Sequence, residues 1–138
     1  MVDIYNCYCK GPKPMAKMLT VYIEEAHSRD EWYLPDSNDA DTKRSIYTHQ
    51  CIKDRLAAAT RFIEDNSFPI DLVCDTMEGN VVDRYRGWPE RLYIVLDGIV
   101  VYQGGVGPFG YDLSEIKEWM EKYTASGGVS DSGSGLKQ

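Results

Sequence analysis

The chain holds only two histidines, His27 and His49, and imidazole is the side chain that most readily exchanges a proton near neutral pH. His27 follows a short β-rich run, and ligands bind at the carboxyl ends of strands in open α/β sheets. Glu25 can hold that imidazole in one tautomer, which makes His27 a candidate proton donor. His49 lies at the start of a predicted helix. A structural or simply exposed imidazole is the alternative for His27.

Thiols are the second group of reactive side chains. The four cysteines, at positions 7, 9, 51 and 74, match neither a CxxC pair nor a zinc-ribbon spacing. Free thiols suit a reducing compartment. Cys7 and Cys9 are candidates for a redox pair, and the alternative is two inert thiols in an irregular segment. Cys51 and Cys74 also suit small buried positions.

Alternating strand and helix patterns must position these residues. We predict strands over 18–23, 70–74, 91–96 and 99–103, with a hairpin turn at Asp97-Gly98. We predict a helix over about 46–66 and a second one from Asp112, capped by Glu115. The predicted apolar stripes are Ile52, Leu56, Ala59, Phe62 and Ile63 in the first helix, and Leu113, Ile116, Trp119, Met120 and Tyr123 in the second. The polar residues from Lys53 to Arg61, which include Arg55, are predicted to form the solvent-facing side of the first helix. Residues 1–17 are predicted to be irregular, 28–45 and 75–90 to be loops, and the tail from Thr124 to be disordered.

The second half of the chain has the pattern of the ββα half of a thioredoxin-like domain. Pro89 precedes a buried strand, at the position where that fold has a cis-proline; an ordinary loop proline is the alternative. Arg91 follows at the mouth of the strand. It can pair with a loop carboxylate, or grip a phenolate or carboxylate of a ligand.

Composition excludes several classes of function. The chain has 138 residues and a net charge of −7, which argues against binding to nucleic acid or to an anionic membrane surface. No apolar run approaches the roughly 18 residues of a membrane span, and the polar start lacks the apolar core of a signal peptide. We therefore expect a soluble intracellular chain.

The run Tyr22-Ile23-Glu24-Glu25-Ala26-His27 resembles the YIEEAH motif of the iodothyronine deiodinases, thioredoxin-fold selenoenzymes that remove iodine from thyroid hormones. The resemblance covers roughly residues 15 to 123. Its other motifs are His49 with Asp54-Arg55, Asp75-Thr76-Met77, Glu90-Arg91-Leu92-Tyr93, Tyr102-Gln103-Gly104-Gly105, Gly107-Pro108 and Gly110-Tyr111.

The resemblance implies roles for the matching residues. His27 would donate a proton or polarise the iodine, within a hydrogen-bond network that includes Glu25 and Tyr22. His49 would be the second histidine of the site. Arg91 would pair with His27 to clamp the substrate, so that Arg91 and Tyr22 are the expected substrate-binding residues.

The resemblance also implies an iodothyronine substrate, no metal and no bound cofactor, and an external thiol as reductant. Trp32 and Tyr93 would line the pocket. The family reaches membranes through an N-terminal anchor, which this sequence does not show, and a homodimer is a further expectation.

Two departures from the family concern the nucleophile and the first helix. The family has Ser-(Cys/Ala)-Thr-selenocysteine at its active-site turn. An ungapped alignment on residues 14–18 puts Gly11 at the selenocysteine, whereas a two-residue shift puts Cys9 there, with Cys7 beside it. We prefer Cys9, because glycine cannot be a nucleophile.

The second departure is the space before Tyr22. Only Leu19, Thr20 and Val21 separate it from Met18, too few for the helix that the family has there at about 1.5 Å per residue. A truncated or misassembled gene product would explain this. We therefore expect an α/β, thioredoxin-like fold that is incomplete at its N-terminus: residues 1–17 with a redox turn, a domain over 18–123, and a tail over 124–138.

Three functions follow as hypotheses. The first is a thiol-dependent deiodinase that uses Cys9, with His27, Glu25 and His49 as its other catalytic residues. The second is a thiol peroxidase or disulfide reductase that resolves Cys7 or Cys9 with Cys51. The third is a non-catalytic remnant that binds the hormone or a partner protein through a cleft between His27 and Arg91.

Overall fold

A computed structural model describes residues 1–31 and 46–127. Its strands are β1 (Leu19–Tyr22), β2 (Asp71–Cys74), β3 (Tyr93–Leu96) and β4 (Ile99–Gln103). Its helices are α1 (Val2–Ile4), which continues as a π-helical turn over Tyr5–Cys9, α2 (Ile52–Asn66), α3 (Asn80–Tyr85) and α4 (Leu113–Ala125). All four predicted strands are confirmed, and so is the mixed α/β class. The helix predicted over about 46–66 begins only at Ile52, so the expectation that His49 lies at the start of that helix was wrong: His49 lies in the irregular segment before it.

β1 and β2 form a parallel pair joined by α2. The register aligns Leu19 with Asp71 and Tyr22 with Cys74. The N–H of Asp75 donates to the carbonyl of Tyr22 at 2.8 Å, which extends the pairing by one residue. Parallel strands need a crossover connection, and α2 supplies it. The segments that follow β1 and β2 consequently leave the sheet at the same edge.

β3 and β4 form the predicted hairpin. Asp97 and Gly98 both have positive φ, 51° and 80°, as the favoured two-residue hairpin turn requires. The register shifts between Ile94 and Val95, which leaves one extra residue in β4 and bulges the strand. The Trp88–Pro89 peptide bond is cis, as the sequence pattern predicts.

The two strand pairs are separate sheets within the described residues. The thioredoxin-like arrangement, the absent first helix and the division into a domain and two terminal segments therefore stay predictions. Residues 10–18, which join the N-terminal helical segment to β1, are irregular.

The N-terminal segment is more ordered than the sequence suggests. Residues 1–17 were expected to be irregular, but Val2–Cys9 is helical. Ile4 is buried against Ile116 and Met120 of α4, and Tyr8 packs beside them. Burial of these apolar side chains offsets the entropy that the segment loses on ordering. The apolar stripe predicted for α4 is confirmed, since it supplies two of the three residues in this cluster.

The loop expected over 75–90 is interrupted by α3. The carboxylate of Asp75, which is only 2% exposed, accepts hydrogen bonds from the N–H groups of Thr76, Val81 and Val82 at 2.8 to 3.1 Å. Val81 and Val82 lie in the first turn of α3, where N–H groups have no partner within the helix. The prediction was wrong because this cap comes from a residue five positions before the helix begins.

The start of α4 is capped differently from the prediction. The carboxylate of Asp112 accepts from the N–H of Ser114 at 2.8 Å. Glu115, the expected partner in a capping box, instead accepts a hydrogen bond from the hydroxyl of Tyr102 at 2.5 Å. Glu115 thus links α4 to β4. The tail predicted to be disordered from Thr124 was placed two residues too early, since Thr124 and Ala125 belong to α4. Trp32, residues 33–45 and residues 128–138 lie outside the described residues, so the predictions for them are not tested.

Candidate functional site

A cleft of about 420 Å³ lies where the segments after β1 and β2 leave the sheet. This is the edge at which the sequence predicts ligand binding. Its lining residues come from the segment after β1, from the start of α2, and from the loops around α3. They are Glu24, Glu25, Ala26, Glu31, Thr48, His49, Arg55, Met77 and Trp88.

His49 is the most unusual side chain of this cleft. It is 8% exposed, and neither Nδ1 nor Nε2 has a hydrogen-bond partner within the described residues. Buried polar atoms are nearly always partnered, so two unpartnered nitrogens on a residue that lines a cleft mark His49 as a candidate functional group. Burial lowers the pKa of His49, and the positive charge of Arg55 adds to that effect against the opposing charges of Glu25 and Asp54. The imidazole is therefore neutral at pH 7, with one N–H donor and one acceptor.

The segment that carries His49 is held by hydrogen bonds across to residues 28–31. The hydroxyls of Ser28 and Thr48 lie 2.9 Å apart, and Ser28 is only 1% exposed. Asp30 accepts from the N–H and the hydroxyl of Thr48 at 2.7 and 3.0 Å. The N–H of Arg29 donates to the carbonyl of Ile46 at 2.8 Å. The position of His49 is thus fixed from the strand side of the cleft.

Tyr22 and Glu25 form a hydrogen-bonded pair beside this imidazole. The hydroxyl of Tyr22 donates to Oε1 of Glu25, and its ring centre lies 6.2 Å from that of His49. Burial, followed by the hydrogen bond to Glu25, raises the pKa of Tyr22 well above its ordinary value. Tyr22 therefore keeps its proton at pH 7. The structure brings together Tyr22, Glu25 and His49, three of the residues that the sequence predicts.

Arg55 is a part of the cleft that sequence reasoning missed. Its side chain was assigned to the polar face of α2, yet it is 4% exposed. Ala59 is the other buried residue of α2, whereas Ile52 and Leu56 of the predicted stripe are 41% and 49% exposed. The stripe prediction was thus wrong at Ile52 and Leu56 and is confirmed at Ala59. Arg55 is buried because it finds carbonyl partners inside the protein: its Nη1 donates to Asp75 and Thr76 at 3.0 and 2.5 Å. The adjacent motif Asp75-Thr76-Met77 was the available signal for such a partner.

Arg91 lies on the hairpin and is not among the residues that line the cleft. Its Nε donates to the carbonyl of Gly104 at 2.8 Å, and its guanidinium carbon lies 5.7 Å from the ring centre of Tyr93. When the side-chain amide of Gln103 is oriented with its oxygen toward Arg91, that oxygen accepts hydrogen bonds from Nη1 and Nη2 of Arg91 at 3.2 and 2.5 Å. The substrate clamp with His27 stays a prediction.

His27 lies in the turn that follows β1 and is exposed. It interacts with other groups of the chain. Its proposed proton transfer stays a prediction.

The four cysteines are free and are not among the residues that line the cleft. Cys7 and Cys51 are exposed, and Cys51 lies at the N-cap of α2. Cys9 ends the π-helical turn and is half-buried, and this burial raises the pKa of its thiol. A nucleophilic cysteine normally has the opposite shift and lies near a helix N-terminus. The structure therefore gives Cys9 none of the usual activation.

The described residues contain neither a membrane-spanning helix nor a cluster of metal-binding side chains. Across residues 1–31 and 46–127, no helix has both the length and the apolar character of a membrane span. The same residues contain no group of three or more His, Cys, Asp or Glu side chains that could hold a metal ion.

Comparison with known proteins identifies the family. The family model described as iodothyronine deiodinase matches residues 8–124. A thyroxine 5-deiodinase of Aquarana catesbeiana is 44% identical over 108 residues, which is 78% of this chain and 38% of that protein. The thyroxine 5-deiodinases of Bos taurus and Homo sapiens are 42% and 40% identical over 105 residues, which is 76% of this chain and 33% of each relative. The chain thus spans about a third of the length of these relatives, and it belongs to the iodothyronine deiodinase family.

Proposed function

We propose that the chain carries an iodothyronine deiodinase-type site, with the cleft around His49 as the place where an iodinated phenol binds. The observation that supports this most is the buried imidazole of His49, whose two nitrogens have no partner among the described residues. The names of the relatives, thyroxine 5-deiodinase, support thyroxine as the first substrate to test.

The reaction is a reductive removal of iodine. A thiolate attacks iodine, the carbon–iodine bond breaks, a sulfur–iodine bond forms, and a proton replaces iodine on the ring carbon. An external thiol then attacks the sulfur, which releases iodide and leaves a mixed disulfide that a second thiol reduces. Neutral His49 offers an N–H at the cleft, and the Tyr22–Glu25 pair places a carboxylate beside it. Such positioned proton transfer contributes typically about 10²- to 10⁴-fold to rate.

Cys9 is the proposed nucleophile, because the alignment shifted by two residues places it at the selenocysteine position. It does not line the cleft in this structure, so its attack on a ligand bound there requires the two to approach each other. Its raised pKa lowers the thiolate fraction at neutral pH, so the reaction of this chain is expected to be slow. The same observation supports a second candidate function, a protein that binds the hormone without turning it over.

Release of iodide from thyroxine, in the presence of a dithiol, tests the proposal. The full chain is compared with His49→Gln, Cys9→Ser and the matched control Cys74→Ala, which removes a thiol that lies in β2. We expect thiol-dependent release that is lost in Cys9→Ser, falls by about 10²-fold or more in His49→Gln, and persists in Cys74→Ala.

Other outcomes separate the alternatives. Binding of thyroxine without iodide release would overturn the catalytic proposal in favour of the binding protein. Peroxide consumption that needs Cys7 or Cys9 together with Cys51, without any iodide release, would instead support the peroxidase.

A further inference from the structure

Arg55 carries a buried positive charge that the proposed chemistry does not use. Its hydrogen-bond partners among the described residues are the carbonyl oxygens of Asp75 and Thr76. The neighbouring carboxylate of Asp75 accepts from backbone N–H groups instead. The guanidinium is therefore bound without being hydrogen-bonded to an anion.

The second unusual atom of this side chain is Nε, which is buried and has no partner within the described part of the chain. Arg55 and His49 line the same cleft. A buried guanidinium is expensive to maintain unless its charge and its N–H groups are compensated. The carboxylate of Asp75 interacts with the charge of Arg55 through space, but Nε is left without an acceptor among the described residues. The retention of this guanidinium beside an unpartnered imidazole points to a role in the cleft itself.

We propose that Arg55 is a positioning residue of the cleft, which ties the segment after β2 to α2 and maintains a positive charge beside His49. The inference rests on the proposed function in one respect: it takes this cleft as the reaction site. A cation at this place disfavours a second positive charge on the imidazole, since Coulomb interactions are strong where water is excluded. Burial is the larger cause of the lowered pKa of His49, and the charge of Arg55 adds to it against Glu25 and Asp54. The neutral imidazole can both donate and accept a proton at pH 7.

Other charged groups also face the imidazole of His49, and their charges determine whether each substitution raises or lowers its titration midpoint. Glu25 follows β1, and Asp54 lies on α2; both favour the charged imidazole. Glu24 and Glu31 are exposed at the rim of the cleft, where water screens them. Tyr22 is protonated and brings no charge. Arg55 is thus the cation that opposes these carboxylates.

Proton NMR of the imidazole rings tests the proposal without substrate or activity. The full chain contains only two histidines, so His27→Gln assigns the His49 signal directly. Arg55→Met removes the charge and keeps an unbranched side chain, whereas Arg55→Lys keeps the charge and loses the planar fork. Glu25→Gln is the control of opposite sign.

The expected result is a set of three directions. The titration midpoint of His49 rises in Arg55→Met, stays near the wild-type value in Arg55→Lys, and falls in Glu25→Gln. Loss of stability alone would not move Arg55→Met and Glu25→Gln in opposite directions.

An unchanged midpoint in folded Arg55→Met would overturn the proposal. If that variant does not fold, Arg55→Lys decides: a wild-type midpoint supports the role of the charge, and a raised midpoint contradicts it. A failure to release iodide would leave these results unaffected, so the two proposals fail separately.

Discussion

Asp75 provides the sharpest prediction about what holds the cleft together. Its buried carboxylate receives three backbone N–H groups, and its carbonyl receives Nη1 of Arg55. Asp75→Asn keeps one acceptor oxygen but replaces the other with an amide N–H₂ group. That group cannot accept a hydrogen bond, so a backbone N–H that now donates to the carboxylate would face another donor. Hydrogen bonds to a charged group contribute roughly 1.5–3 kcal/mol each, so the free energy of unfolding should fall by about 2–3 kcal/mol. Asp75→Ala removes both carboxylate acceptors and leaves only the backbone carbonyl, so it should cost about 3–5 kcal/mol.

Urea unfolding measures this loss. With a slope of about 1–3 kcal/mol per molar, the midpoint of Asp75→Asn should fall by roughly 1 M or more. Asp71→Asn is the matched control, because Asp71 is exposed at the start of the same strand. Its effect should stay within about 0.5 kcal/mol.

The pH dependence of the stability lost in Asp75→Asn tests whether that stability comes from the charge of the carboxylate. Burial would raise the pKa of Asp75, but the hydrogen bonds from Val81, Val82 and Thr76 outweigh it, so the pKa lies below the ordinary value of 3.8. The stabilisation is therefore present above about pH 3.8 and is lost as the pH falls through the lower folded-state value. The difference between wild type and Asp75→Asn should shrink in that acid range. A difference that is absent at pH 7, or independent of pH, would refute the reasoning.

Three further predictions concern the cleft and the loop after β4. Because burial lowers the pKa of His49, wild-type stability should be full above about pH 6.5 and decline below it, and His49→Gln should remove this decline in urea unfolding at several pH values. Because the pKa of Tyr22 is raised, Tyr22 should not ionise in the folded chain, so Tyr22→Phe should have the same alkaline absorbance titration of tyrosine as wild type until the chain unfolds. A titration of Tyr22→Phe that shows one tyrosine fewer ionising in the folded chain would contradict this. Gly105→Ala should lower the melting temperature, since a Cβ there would lie 2.7 Å from the carbonyl oxygen of Gly110, whereas Gly87→Ala, with open space around it, should not.

Short-range patterns account for the parts of the fold that could be predicted. The Asp97-Gly98 turn needs only residues that tolerate positive φ, and the stripe on α4 needs only helical periodicity. Both signals are local in sequence, and both are confirmed. Tyr22 and Glu25 were placed in one hydrogen-bond network by the family resemblance rather than by a local pattern. The structure has a hydrogen bond between them, and their role at His27 stays a prediction.

The features that escaped prediction depend on contacts between distant residues. Arg55 is buried because its partners, the carbonyls of Asp75 and Thr76, lie twenty and twenty-one positions away. α1 is ordered by packing of Ile4 on α4, at the opposite end of the chain. Polarity at one position cannot reveal such partners, so Arg55 was assigned to the solvent-facing side of its helix.

Binding of an iodothyronine in the cleft at His49 is the proposal on which the deiodinase function of this chain depends. We would titrate the full chain with thyroxine and follow the ring signals of its two histidines. We expect a saturable shift of the His49 signal, with a weaker effect from the iodine-free thyronine used as the matched ligand. Saturable binding of thyroxine that leaves the His49 signal in place would show that the hormone binds elsewhere.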